Sequence, residues 1–411
     1  MKAIIDYRGK TPRKTPSGVP LITAKIVKDG RIMPPTEFIA AEGYDSWMNR
    51  GLPEPGDVVM TTEAPLGEIA QIDNRKVALG QRLITLRGKP EVLNNTYLKF
   101  AMQAAFVQNQ LKARSTGTTV LGISQRELRK VEIPLPSLPE QHRIAHILST
   151  LDDKIELNRQ MNETLEATAR AIFKSWFVNF DPVKAKVEGR KPPCMDAETA
   201  ALFPSAFKDS ALGKIPDRWQ VATIDDDFNL VMGQSPPGST YNEDGEGILF
   251  YQGRKDFGFR YPTQRVYCTA PKRFAEKGDT LVSVRAPVGD INMASEKCSI
   301  GRGVATIRHK TRSRSYTYYT MQSLQEIFSR YEAEGTVFGS ISKTDFQTLS
   351  YLRPPDEIVE AFERLVHPLD QTIENNENES RTLAQTRDTL LPKLLSGEIR
   401  VDEANEILEG T

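Results

Sequence analysis

The sequence predicts an α+β protein built by tandem duplication, in which a β-rich domain followed by a long helix occurs twice. Three observations carry this expectation: a gapless internal repeat, strand-like runs punctuated by Gly and Pro in the first part of each half, and two apolar heptad stripes of equal length. The segments expected are residues 1–139 as a first β-rich domain, 140–177 as a central long helix and 178–214 as a linker. Residues 215–355 form a second β-rich domain, 356–397 a second long helix and 398–411 an acidic tail.

The repeat comes first, because missing it misreads the whole fold. Residues 117–178 align with 335–396 at a constant offset of 218. Gly117-Thr118 matches Gly335-Thr336, Ile123-Ser124 matches Ile341-Ser342, and Leu151-Asp152 matches Leu369-Asp370. Upstream, Gly56-Asp57 matches Gly278-Asp279, and Ala64-Pro65 with Gly67 matches Ala286-Pro287 with Gly289. Earlier still, Gly9-Lys-Thr-Pro resembles Gly233-Gln-Ser-Pro. The period far exceeds the 20–50 residues of solenoids, so whole domains are duplicated.

The β-rich parts carry runs such as Asp57-Val-Val-Met-Thr-Thr and Asp279-Thr-Leu-Val-Ser-Val, with short helices expected near 96–112 and 316–331. Pro139 opens the first long helix at about Glu140, and Asp181-Pro182 stops it. The second runs from about Asp356 to the glycine stop at Ser396-Gly397. Ile144, Leu148, Leu151, Ile155, Asn158, Asn162, Leu165, Ala169, Ile172 and Trp176 follow alternating steps of four and three. Phe362, Val366, Leu369, Ile373, Asn376, Ser380, Leu383, Arg387, Leu390 and Leu394 match them. Such stripes argue for a coiled coil between the helices, with Asn158 and Asn376 fixing register. Each helix burying a face on its own domain is the plainer alternative.

Composition narrows the function. A chain of 411 residues predicts two or three domains, and 39% hydrophobic with 26% charged residues is a soluble balance. No apolar run nears the ~20 residues of a membrane span, and the start has no signal- or transit-peptide pattern. Cys194, Cys268 and Cys298 suit neither a disulfide frame nor a zinc ribbon, so reduced thiols and a cytoplasmic location are expected. Net charge is zero overall, but residues 1–139 carry +7 (20 basic, 13 acidic) and 356–411 carry −9 (5 basic, 14 acidic). That asymmetry hints at a polyanion-binding part and a protein-facing part.

No catalytic constellation assembles. There is no phosphate-binding Gly-x-x-x-x-Gly-Lys loop, and Gly301-Arg-Gly303 lacks the third glycine of a dinucleotide fingerprint. The Asn/Asp-Pro-Pro-aromatic motif of amino-methyltransferases is absent as well. His142 and His146 share a helix face without a third ligand, and Asp57 and Asp279 read as turn residues. Neither a metal nor a cofactor is expected on this chain.

Basic residues in the two β-rich parts fit nucleic acid better. Lys25, Arg50, Arg75, Arg82 and Arg114 are the candidates in the first, and Arg254, Lys255, Arg260, Arg285 and Arg302 in the second. Arginine grips guanine edges bidentately, and either cation neutralises phosphate. Two similar readers separated by a helix of about 38 residues, roughly 57 Å long, would contact two half-sites across an unread gap. Because the halves differ in their loops, the target should be asymmetric.

The chain resembles the specificity (S) subunits of type I restriction–modification systems over nearly its whole length. Leu135-Pro-Ser-Leu-Pro-Glu-Gln-His-Arg-Ile-Ala-His-Ile-Leu-Ser-Thr-Leu-Asp-Asp-Lys-Ile carries the likeness, with Trp176-Phe-Val-Asn-Phe-Asp-Pro-Val, Leu202-Phe-Pro and Gly213-Lys-Ile-Pro-Asp-Arg-Trp219. The resemblance implies two target-recognition domains reading a bipartite double-stranded DNA site. It also implies an antiparallel helix pair with pseudo-two-fold symmetry between them. Catalysis would lie on partners: two modification (methyltransferase) subunits using S-adenosylmethionine, and restriction subunits using Mg-ATP. The helices and residues 178–214 would dock the modification subunits. One departure stands out. Residues 215–232 precede Gly233, whereas only residues 1–8 precede Gly9, so the counterpart of Trp219 and its strand is expected to be missing or supplied by the C-terminal tail.

Overall fold

The computed structural model describes residues 1–7, 11–333 and 339–404. Arg8, Gly9 and Lys10, the repeated Gly335-Thr336 and residues 405–411 of the acidic tail lie outside the described residues. The chain divides into two compact units, Met1–Glu156 with Ser380–Thr411, and Leu157–Glu379. Each unit therefore holds one β-rich domain and part of both long helices, a division that cuts across the segments expected from sequence. Among the described residues, no helix is long and apolar enough to cross a membrane.

In the first unit β1 (Ala3–Asp6), β2 (Val58–Thr62), β3 (Leu66–Gln71) and β4 (Leu83–Arg87) form an antiparallel sheet in the order β1-β4-β2-β3. β2 is buried on both faces, and its period of two divides it. Val58 and Met60 face the core containing helix Asn95–Gln103, while Val59 joins the core of a small second sheet around Leu21 and Ile22.

The second unit repeats the plan. Its strands are β5 (Gln220–Thr223), β6 (Phe228–Met232), β7 (Thr280–Val284), β8 (Val288–Met293), β9 (Val304–His309) and β10 (Ser350–Arg353). The main sheet runs β6-β9-β7-β8, and β5 pairs with β10 alone.

The duplication reaches below topology. The hairpins carry the same bulge, between Met60 and Thr62 and between Val282 and Val284. The glycines after them, Gly67 and Gly289, have φ of 89° and 95°. At Gly289 a Cβ would also lie 2.4 Å from the Phe328 Cβ, so the position needs glycine twice over. The repeated acids do more than turn the chain. Asp57 accepts the Glu54 N–H and binds Arg87 through both oxygens, each at 2.7 Å; Asp279 accepts the Glu276 N–H and binds Arg308 at 2.5 and 2.7 Å. Both carboxylates are buried, and the planar guanidinium fork satisfies them.

The first long helix, Leu138–Phe173, starts two residues before the expected Glu140, because Ser137 accepts the Glu140 N–H and places Pro139 inside the first turn. It passes through a π turn at Lys174–Val178 and stops where Phe180 takes a left-handed φ of 57°. The second spans Asp356–Ser396, and Gly397 ends it at φ 73°. It runs through Pro368, which lies exposed beside the equally exposed Arg364, on a face of the helix turned away from the core.

Within each unit the helices lie antiparallel. In the first, Arg387 meets Asp152 at 2.7 Å, and Leu148, Leu151, Leu390 and Leu394 share one core with the domain. In the second, Asn158 donates to Glu379 at 2.7 Å, Asn376 donates to Asn162 at 2.8 Å, and Phe173 meets Phe362 edge-on. Val366, Ile373 and Trp176 lie in the second core with Leu165, Ile172 and Leu369 packed against it. Ile144 lies in the first core and Leu383 packs on it, while Ile155 is half-buried. The stripes therefore do both things weighed from sequence: they pair with each other and bury a face on a domain.

Arg260 corrects the sequence reading. It is 0% exposed rather than free for DNA, and its guanidinium donates to Asp370 (2.8 Å), Glu166 (3.3 Å) and the Tyr319 hydroxyl (2.8 Å). It also lies 4.0 Å over the Tyr318 ring. Two carboxylates, one from each helix, hold the cation in the core and tie the second domain down. Glu363 adds a second tie, accepting the N–H groups of Arg314, Ser315 and Tyr316 at the start of helix Arg314–Ser323.

Arg87→Ala leaves the Asp57 carboxylate buried and unpaired, and is expected to cost about 3 kcal/mol, read as a lower urea midpoint of the full chain. A change below about 0.5 kcal/mol would remove the pair from the frame. Arg260→Ala is likewise expected to lower the unfolding midpoint by about 3 kcal/mol. An unchanged midpoint with weakened DNA binding would return Arg260 to the recognition surface.

Candidate nucleic-acid interface

One end of each main sheet gathers three chain segments. In the first unit they are the turn after β2, the approach to β4 and the loop 115–124, joined by bridges Glu63↔Gly122 and Thr116↔Gly122. Thr62, Glu63, Gln81, Arg82, Thr116 and Ser124 line a hollow of about 310 Å³ there. In the second unit the same end carries Arg285 in the turn after β7, Arg302 ahead of β9, and Ser340 bridged to Arg285. The Arg302 N–H donates to the Ser235 hydroxyl at 3.1 Å, and the Gly303 N–H donates to the Gln252 carbonyl. That contact draws in residues 252–256, so Arg254 and Lys255 join the group.

The two ends share a frame and differ in charge. Repeat position places Arg285 where the first unit has Glu63, and Arg302 where it has Gln81. Arg82 is held at 2.8 Å by Glu63, whereas among the described residues no carboxylate pairs with Arg285 or Arg302. Both are exposed. Arg254 stays exposed while paired with Asp290 at 2.8 Å. The second end is therefore cationic, and the first presents an amide, hydroxyls and an internally neutralised arginine. Gln and Ser/Thr groups suit mixed donor–acceptor base edges, and unpaired Arg suits guanine or phosphate.

The other candidates fall in varied places. Arg50 is exposed and donates to the Asp6 carbonyl where β1 closes, on the same end as Arg82. Arg114 is half-buried and leads into the loop 115–124. Lys25 is exposed in the turn after Val19–Ile22. Arg75 follows the opposite end of β3 and is occupied by Asp73 at 2.6 Å, whose carboxyl its guanidinium holds below the usual range. The structure thus brings Arg50, Arg82 and Arg114 together in one unit and Arg254, Lys255, Arg285 and Arg302 in the other. Lys25 and Arg75 stand apart, and Arg260 is in the core. Gln81, Thr116 and Ser340 were missed by a search for charge. The signal that could have found Thr116 and Ser340 is the shared Gly-Thr and Ile-Ser flanks of the loop, and for Gln81 it is the glycine matched at 80 and 301. Among the described residues no three His, Cys, Asp or Glu side chains come together to hold a metal.

Comparison with known proteins agrees with the duplication. A family profile described as the type I restriction modification DNA specificity domain matches residues 8–167 and again 216–385. A Methanocaldococcus jannaschii protein with the provisional name type I restriction enzyme MjaX specificity subunit is 31% identical over 356 residues, covering 84% of this chain and 79% of that protein. The type I restriction enzyme HindI specificity subunit of Haemophilus influenzae is 26% identical over 335 residues, 70% of this chain and 73% of its own. The crystal structure of the type I restriction–modification S subunit from M. genitalium shares the fold, with TM-score 0.54 and 17% identity over 94% of this chain and 92% of that one. A domain profile matched once in each half of the internal repeat, on two copies of one sheet-and-helix frame, shows that this chain belongs to the type I restriction–modification DNA specificity family.

Proposed function

We propose that the chain reads a bipartite, asymmetric double-stranded DNA target and docks the subunits that act on it. The observation that carries this reading is the same three-segment loop end, present on both domain frames with different side chains. A shared frame with unlike tips suits two readers of unlike half-sites. The second reader is the more dependent on Arg285 and Arg302, and the first on Gln81, Arg82 and Thr116. The long helices, of 36 and 41 residues, set the gap between half-sites. Two modification subunits dock on the helices and on residues 178–214, a connector that carries helices Asp181–Val187 and Ala197–Leu202. S-adenosylmethionine belongs to those subunits and Mg-ATP to restriction subunits, so this chain supplies the address and its partners the chemistry.

The reading is tested by producing the chain with its modification subunits and mapping methylated adenines on genomic DNA. A split motif is expected, and exchange of residues 215–355 for those of a related chain should change one half of it. A change in both halves, or methylation without a split motif, would overturn the reading. On the target duplex at fixed salt, Arg285→Ala and Arg302→Ala should each weaken binding about ten- to hundredfold by fluorescence anisotropy, with the unfolding midpoint unmoved. Affinity within about twofold of the parent would demote that arginine to plain surface.

A further inference from the structure

Two branched apolar side chains, Val120 and Ile123, line the otherwise polar hollow at the end of the first sheet. Ile123 is 3% exposed and belongs to the core of that domain. Val120 is 52% exposed, and Leu121 beside it is 43% exposed. Isolated exposed apolar residues are ordinary on a protein surface. These two are adjacent, and the loop that carries them is held at both ends.

The loop 117–121 closes on a reciprocal pair of hydrogen bonds. The Thr116 N–H donates to the Gly122 carbonyl at 2.8 Å, and the Gly122 N–H donates to the Thr116 carbonyl at 2.9 Å. The Ile123 N–H donates to the Thr62 carbonyl at 3.0 Å and ties this base to β2. Gly117 turns the chain at φ 113°, and a Cβ there would lie 2.1 Å from the Val120 carbonyl oxygen. Only glycine therefore lets the backbone at 117 approach the backbone at 120 so closely. The apolar tip is ordered by folding itself, so contact with a partner costs little further conformational entropy.

The neighbours of the tip define what it can meet. Val120 shares its hollow with Gln81, Arg82 and Thr116. A glutamine amide matches the N6 and N7 edge of adenine in the major groove. In the same groove the thymine of an A·T pair projects its C5-methyl, the apolar group of an unmodified base edge. An amide and an apolar branch on one rigid rim are complementary to those two features together.

We propose that Val120 is a specificity-determining residue of the first reader, and that its partner is the C5-methyl of a thymine in the half-site. The inference rests on the reading of the chain as a DNA reader and adds the chemistry of one contact. The matching repeat position in the second half, Phe338, is also apolar in sequence and lies outside the described residues.

The test uses the full chain with its modification subunits and the duplex target mapped from methylation. In the half-site left unchanged by exchange of residues 215–355, each thymine is replaced in turn by uracil, which removes only the methyl group. At one position the parent should lose about fourfold in affinity, the loss expected for one buried methyl. Val120→Ser should bind thymine and uracil duplexes equally at that position, with its unfolding midpoint unmoved, while Val120→Ile keeps the difference. The inference is overturned if the parent tolerates uracil at every position, if the half-site holds no thymine, or if Val120→Ser keeps the parent's discrimination. Weaker association of Val120→Ser with the modification subunits, with discrimination intact, would make the tip a protein contact and overturn it too. These results leave sequence-specific binding standing, whereas equal binding of target and unrelated duplexes by the parent would sink the DNA reading and this contact together.

Discussion

The structure depends on how the long helices spend their apolar stripes. A stripe buried only against a second helix would leave the β-domains hanging from loops. Here each stripe is shared. In the second unit Phe173, Trp176 and Phe177 pack on Phe362 from the other helix and, through Phe173 and Phe177, on Tyr316 from the domain. In the first, Leu148 and Leu390 join the core that contains Tyr97 and Phe100. Edge-on aromatic pairs have preferred geometries, so this packing fixes orientation as well as contact. Arg260 adds a directional lock, because its fork needs a carboxylate from each helix at once.

That fixed seat makes the loop ends meaningful. The bulge within β2 and β7, the left-handed glycine beyond it and the bidentate arginine–aspartate pair all recur. Together they hold the hairpin tip in the same place in each domain. None of them reads a base. Their work is to make the position of the residue at 63 or 285 independent of which residue it is.

Much of this was legible in the sequence, for a physical reason. Periodic features leave periodic traces, so the gapless repeat, the paired stripes and the glycine stop at Gly397 could all be read before any coordinate. Burial leaves no such trace for a single charged residue. Arg260 lies among exposed-looking neighbours and reads as a surface cation, because its carboxylate partners are 94 and 110 positions away. Equivalence was also hidden where the offset slipped by one. Arg302 stands opposite Gln81, and Arg82 opposite Gly303. Asp57 and Asp279 were recognised as repeated, while their arginines went unnoticed because they lie on another strand. Pro368 would have ended a helix by local rules, and it stands instead on an exposed face inside a continuous helix.

Glu63, half-buried and paired with Arg82, and the exposed Arg285 occupy matching positions on matching hairpins, with opposite charge. Replacements at such solvent-facing tips generally shift folding stability by less than about 0.5 kcal/mol, far below the margin that keeps a domain folded. Selection can therefore explore new side chains at these tips almost free of the threshold that purges changes in the core. Evolvability in this molecule is local: the scaffold can stay still while the word it spells drifts.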